Sequence, residues 1–456
     1  MSDSAGVPSG DGGPGPYGPG AGASPSGVGV VRRRRRHRWV RWTALGVAVL
    51  VLGAGGAGWV AYEKLNGNIT KDTDAAAELA RYDKERPTPL VQGAQNILLL
   101  GSDTRAGPVN SKYGRDPGTE RSDTTILLHL AADRRSATAV SIPRDLMVEI
   151  PGCRRPDGSR SQPQFAQFNL AFAVGGTACA IRTVEKLTTI RVDHHMVVDF
   201  AGFKGMVDAV DGVQVCLRAP IDDSDAHVKL APGLRTLNGE QALGFVRARK
   251  SLGNGSDTER MDRQQEFLAA LVNKVQSNDV LLNPTKLYPV LDAATSSLTT
   301  DPALASLRGL YDLVRGMRNI PTERVQFLTV PRQSYTYDAN RDELVEPAAE
   351  QLFTRLRSDA PVEVAPHQAA ESGAGDRQEG QAQEGQAQEE PSGESYGEQS
   401  YGEEAQGEEA YGEEAYGDEY GGSGDSSSDE KPDDPTHTPT PTPTFRGNTA
   451  ARSTCE

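Results

Sequence analysis

The sequence predicts a layered α/β domain with a mainly buried sheet, preceded by one apolar N-terminal helix. Three observations lead there. Short apolar runs of strand length alternate with helically spaced segments between residues 89 and 365, and no low-complexity break divides them. Three of those runs begin or end in clusters of Arg and Asp. An uncharged stretch, Thr43–Tyr62, follows a run of arginines.

In chain order, NILLLG (96–101) is short, apolar and closed by glycine, the pattern of a buried strand. TTILLHL (124–130) and ATAVSIP (137–143) read as two further strands joined by the turn-like AADRRS. Helical spacing appears in CAIRTVEKL (179–187), and HMVVDF (195–200) is the next strand. FKGMVDAV (203–210) reads as a helix, followed by turn and strand in DGVQVCL. A helix beginning near Glu259 carries Leu268, Leu271, Val272 and Val275 at core-facing spacing. PALASLRGLYDLVRGM (302–317) is helical, RVQFLTV (324–330) a late strand, and PAAEQLFTRL (347–356) a closing helix.

The flanks differ in composition. Residues 1–41, Gly-, Pro- and Ser-rich at first, hold seven Arg against two Asp and are expected to be disordered and cytoplasmic. Residues 42–62 are expected to be a transmembrane signal anchor. At about 1.5 Å per residue such a helix spans a hydrocarbon layer of roughly 30 Å. Its apolar stretch exceeds that of a cleaved signal peptide, and the preceding arginines orient the N-terminus inward, leaving later residues outside the cell. Trp39, Trp42, Trp59 and Tyr62 suit the two interfaces. Residues 63–88 read as a polar extracellular stalk, and 89–365 as one domain. Residues 366–456 carry 22 Asp or Glu against 4 Lys or Arg, with repeats such as YGEEA, and are expected to form a disordered acidic tail. The intervening region is nearly neutral, so overall acidity does not identify a ligand.

Four cysteines suit an exported protein. Cys153 and Cys179, in loop-like surroundings 26 residues apart, are the candidate disulfide. Cys216 lies in an apolar run where a free thiol fits equally well, and three connectivities remain open.

The strand-end clusters supply the candidate chemistry. GSDTR places Asp103 and Arg105 after the first strand; RSDTT places Arg121 and Asp123 before the second; PRD places Arg144 and Asp145 after the third. Ligand sites in α/β domains gather at strand ends. FVRARKSLGNGSDTERMDRQQEF (245–267) adds Arg247, Arg249, Arg260 and Arg263 around a glycine-rich interruption, with Gln264 four residues after Arg260. Taken singly, each cluster is better read as ordinary surface ion pairs, worth about 0–1 kcal/mol. Together they suit a diphosphate: the guanidinium fork matches phosphate oxygens, and carboxylates offer hard ligands to Mg²⁺. The P-loop, nucleophile-elbow and zincin motifs are absent. His194 and His195 are expected to lie one buried and one exposed on a strand, without zinc. The arginine run beside a membrane span reads as an orientation signal, so no nucleic-acid partner is expected.

NILLLGSDTR, RSDTTILL, SIPRDLMVEIPG, FNLAFAVGG, DHHMVVDFAGF, LNGEQALGFVRAR and GSDTERMDRQQ occur in one succession. Over roughly residues 94–277 this order resembles the LytR–CpsA–Psr family of cell-wall assembly proteins, with a weaker tail to about 357. The resemblance implies a three-layer α/β/α sandwich with a central mixed sheet. It further implies a phosphotransferase moving a glycopolymer, with one phosphate, from a polyprenyl diphosphate to a peptidoglycan hydroxyl. On the matching positions, Asp103 and Asp123 would hold Mg²⁺, with Mn²⁺ as a substitute. Arg121, Arg144, Arg247, Arg249, Arg260 and Gln264 would hold the diphosphate, and Asp103, Arg121, Asp123 and Arg144 form the implied catalytic set. Gln167, Phe168 and Asn169 stand where the family carries Lys-Ile-Asn, which removes a basic contact there. The alternatives are a non-catalytic polymer-binding protein, a lipid-diphosphate hydrolase and, last, a membrane-bound transcriptional attenuator.

Overall fold

The computed structural model describes residues 31–102, 122–249, 257–276, 284–366 and 443–451, in two units divided at Asn68/Ile69. The first unit is one helix, α1 (Val31–Asn68), long and apolar enough over Arg38–Asn68 to cross a membrane. The arginine run belongs to this helix, which corrects the disordered assignment there. Arginine is a good helix former, and the run leads directly into the apolar segment.

The second unit is built on a mixed nine-stranded sheet in the order β1-β12-β7-β2-β3-β4-β13-β17-β16. Its strands are β1 (Thr70–Lys71), β2 (Gln95–Ser102), β3 (Ser122–Leu130), β4 (Ala137–Ile142), β7 (His194–Asp199), β12 (Leu298–Thr300), β13 (Val325–Thr329), β16 (Glu363–Pro366) and β17 (Thr444–Thr449). Among the described residues, four two-stranded antiparallel ribbons stand outside it: β5 (Met147–Ile150) with β6 (Gln164–Gln167), β8 (Val213–Leu217) with β11 (Gly233–Leu237), β9 (Ile221–Asp223) with β10 (Val228–Leu230), and β14 (Arg332–Tyr335) with β15 (Asp338–Leu344). The helices are α2 (Thr73–Arg81), α3 (Asn169–Thr188), α4 (Phe200–Ala209), α5 (Gly239–Arg247), α6 (Asp257–Gln276), α7 (Pro284–Ser296), α8 (Leu307–Met317) and α9 (Ala348–Arg357).

Strand alternation makes the three layers. Leu98, Leu100, Leu127, Val140 and Ile142 share one core with α2, α3 and α9. Their neighbours Ile97, Ile126, Ala137 and Ala139 join Ala269 of α6 and Leu313 of α8 in another. Successive strand side chains point to opposite faces, so a run apolar throughout is what a sheet covered on both sides requires. A third core joins α4, α5 and α6 to β8–β11, with Phe267 fully buried beside Phe203 and Phe245.

Two expected boundaries are corrected. From Ile69 on, the segment read as a polar stalk is part of the domain: β1 pairs parallel with β12, and Ala75 and Leu79 of α2 are buried in the main core. Asp72 caps α2, accepting from Ala75 N–H at 2.9 Å. At the other end, β17 lies between β13 and β16, with Phe445 in the core, so residues 443–451 are not acidic tail.

Cys153 and Cys179 are disulfide-bonded, with Cα atoms 5.6 Å apart. Gly175 interrupts α3 beside them, where a Cβ would lie 2.9 Å from both cysteine Cβ atoms. Cys216 is also disulfide-bonded, not free, and its partner lies outside the described residues.

His195 is buried and bonds Asp72 Oδ2 at 3.2 Å, whereas His194, also mostly buried, contacts Asp301 at 3.3 Å. Strand alternation still places the two rings apart, but α2 and the turn after β12 give each a carboxylate. This corrects the expectation that one histidine would be exposed. Burial pushes the Asp72 and Asp301 carboxyls up, but hydrogen bonds from the histidines and backbone N–H groups prevail, leaving both below their ordinary 3.8. Because the folded values are depressed, the stabilisation is complete above the ordinary value and lost as pH falls through the folded values. Urea midpoints measured between pH 5 and 3 are expected to fall more steeply in the wild type than in Asp301→Asn. Parallel curves would remove Asp301 from the acid transition.

Candidate functional site

Parallel pairing of β2 with β7 and of β4 with β13, with β3 antiparallel between, gathers four strand C-termini and the start of β3 at one sheet edge. Ser102 there is in register with both Ser122 and Asp199. Asp123 is the second residue of β3, and Arg144 and Asp145 follow β4. Arg144 donates from Nη1 to Asp123 Oδ1 at 2.8 Å and from Nε to Asp145 Oδ2 at 3.1 Å. Arg341 donates to the other Asp145 oxygen at 3.4 Å, and Asp342 N–H bonds the Asp145 carbonyl at 3.1 Å. Arg332 in turn donates to Asp342. The Arg144 and Asp123 side chains remain 21% and 34% exposed. A charged pair held by its neighbours yet open to solvent can take an anion or a hydrated cation.

The arginine-rich stretch forms the adjoining helices. Asn238 and Gln241 make a capping box that starts α5. Arg247, at its other end, stacks its guanidinium 4.7 Å from the Phe200 ring centroid, just after β7. Arg249 N–H donates to Asp223 at 2.7 Å. On α6, Arg263 donates to the Ala248 carbonyl and Gln264 to that of Val246 at 3.2 Å, which fixes the end of α5. Burial lowers the Arg263 pKa, while the charges of Glu259, Asp262, Asp223 and Glu266 oppose that shift. Gln265 reaches across to Thr329 at 2.8 Å and Ser141 at 3.3 Å, tying α6 to the ends of β13 and β4.

The structure thus brings Asp123 and Arg144 together and places Arg247, Arg249, Arg260 and Gln264 on α5, α6 and their connection. The surface-face alternative fails for α6, because Arg260 and Arg263 are only 4% and 7% exposed. Gln264 uses its amide to hold α5. Asp103 and Arg121 lie outside the described residues. Sequence reading missed Gln265, Arg332 and Arg341 as partners. One signal was available: VPRQ after β13 repeats the apolar-Pro-Arg ending of SIPRD after its parallel neighbour β4.

The site thus belongs to a three-layer α/β/α domain with an arginine–carboxylate edge, which follows in sequence a helix long and apolar enough to cross a membrane. The LytR_cpsA_psr family model matches residues 64–358, and the chain belongs to that family. It is 34% identical over 293 residues to the probable cell wall biosynthesis protein LcpB of Corynebacterium glutamicum, covering 62% of this chain and 66% of that relative. The match therefore spans just under two thirds of that curated relative's length. A second relative is the polyisoprenyl-teichoic acid–peptidoglycan teichoic acid transferase TagT of Bacillus subtilis, 29% identical over 321 residues, 68% of this chain and 92% of TagT. A crystal structure of a Streptococcus agalactiae protein shares the fold, with a TM-score of 0.50 at 22% identity, over 60% of this chain and 91% of that one.

Proposed function

We propose that this chain transfers a glycopolymer, with one phosphate, from a polyprenyl diphosphate to a peptidoglycan hydroxyl outside the membrane. The observation that carries the reading is Arg144, bound to Asp123 and Asp145 at the edge where four strands end. Family membership and the relative named as a teichoic acid transferase support it.

In the reaction, the acceptor oxygen bonds to the polymer-side phosphorus and the bond to polyprenyl phosphate breaks. The acceptor proton passes to a base, and polyprenyl phosphate departs. Phosphoryl transfer depends chiefly on positioning and electrostatic stabilisation. Arg144 supplies a planar fork for phosphate oxygens, with Arg121, Arg247, Arg249 and Arg260 as further diphosphate donors and Gln264 holding the helix that presents them. The partly exposed Asp123 carboxylate is a hard oxygen donor, which fits magnesium, an ion that commonly binds one or two carboxylates and keeps several waters. Asp123, with Asp103, would hold Mg²⁺, which would neutralise diphosphate charge when bound. The arginine run that precedes the apolar segment of α1 supports a cytoplasmic N-terminus.

The test uses the full chain in detergent with a defined polyprenyl-diphosphate glycan and peptidoglycan. Polymer should become covalently attached through phosphate, stop on chelation and resume with Mg²⁺. Release of free polymer at the same rate without peptidoglycan would identify a hydrolase. Binding without turnover would identify a polymer-binding protein.

A further inference from the structure

Three aromatic side chains from two parts of the chain, Phe165 and the Tyr335–Tyr337 stretch, converge beside the candidate site. Phe165 on β6 lies 6.1 Å, ring to ring, from Tyr335 on β14, which lies 5.4 Å from Tyr337 in the following turn. Phe165 is 50% exposed and Tyr337 85% exposed. Neither tyrosine hydroxyl has a hydrogen bond among the described residues. We propose that these rings form a stacking platform for the sugar rings of the peptidoglycan acceptor strand, an inference that rests on the transfer reaction proposed above.

The chemistry selects the occupant. An aromatic side chain buries about 150–250 Å², so three partly exposed rings fall short of the roughly 800 Å² per partner of a standard protein interface. A lipid chain would give the phenolic hydroxyls nothing to bond. A pyranose presents C–H groups to the ring faces and hydroxyls at its rim, so it satisfies both.

Position selects the acceptor. Tyr335 is in register with Asp338, which is ion-paired to Arg341 at 3.7 Å; Arg341 bonds Asp145, and Asp145 bonds Arg144. The platform therefore adjoins the Asp123–Arg144 edge from the hairpin that follows β13. Arg247 and Phe200 lie at the C-terminal end of β7, separated from β13 in the sheet by β2, β3 and β4. Donor diphosphate on the Arg247 side leaves the platform side for the attacking strand, as an in-line displacement requires.

Chitooligosaccharide is the probe, because it reproduces the acceptor backbone without phosphate. Titrated into the full chain in detergent, it should bind wild type and Tyr337→Trp comparably. Phe165→Ala and Tyr337→Ala should each raise Kd about threefold to tenfold. In the transfer assay the same alanine variants should raise acceptor KM by a similar factor while kcat and donor KM stay within about twofold. An unchanged acceptor KM, a shift in donor KM instead, or probe binding indifferent to both alanines would overturn the platform. Because Tyr337 is largely exposed, its alanine variant should keep the wild-type melting temperature. If the wild type bound the probe but transferred nothing, the transfer reading would fail while the platform stood as a glycan-binding surface.

Discussion

Arg144→Ala is expected to lower transfer by about 10²–10³-fold, the scale of removing one donor preorganised for transition-state charge. Arg144 is the one described side chain that touches both Asp123 and Asp145, so its loss removes a phosphate donor and releases two carboxylates from their shared partner. Arg144→Lys should recover only part of the activity, since ammonium keeps the charge but loses the fork. Stability should change far less than activity, because the pair is partly exposed and Asp145 keeps Arg341. Single-turnover transfer beside melting temperatures separates the two. Wild-type rates in both variants would reduce Arg144 to an ordinary ion pair and remove the observation on which the proposed function rests.

Phe445→Ala is expected to destabilise the domain by about 3–5 kcal/mol, as for other phenylalanines removed from a packed core. Phe445 is 5% exposed and lies opposite Val364 on β16. Its strand also pairs antiparallel with β13, where Gly447 faces Leu328. A Cβ at Gly447 would come 2.3 Å from the Phe327 carbonyl oxygen, so Gly447→Val should be similarly damaging. Excising residues 380–430 while retaining 443–451 should leave the urea midpoint close to wild type. If excision and Phe445→Ala were equally harmful, β17 would not be the part of the C-terminal region that stabilises the domain.

The fold's centre was legible because its signals are local. NILLLG, TTILLHL and ATAVSIP are apolar at consecutive positions, and the structure covers both faces of these strands. Leu98 faces α3 while Ile97 faces the α6 and α8 layer, as their unbroken hydrophobicity implied. The helix near Glu259 was legible from its repeat of Leu and Val. The order of Arg–Asp clusters indicated the family, and Asp123 and Arg144 do meet. Less legible were elements whose reason to fold lies elsewhere in the chain. β1 is two residues long and depends on β12, while β17 depends on β13 and β16. Neither has enough local pattern to stand apart from its polar surroundings.

The sequence by itself determined which segments are apolar and at what period, hence the helix that can cross a membrane, the central strands and the arginine-rich positions beside them. Only the tertiary structure decided that Arg260 and Arg263 are interior, that Gln265 ties α6 to β4 and β13, and that Arg341 and Asp342 support Asp145 from almost 200 residues away. The physical reason is range. Periodicity acts over a turn or a strand, but a guanidinium is solvated or buried according to which distant carboxylates and carbonyls the sheet order places around it.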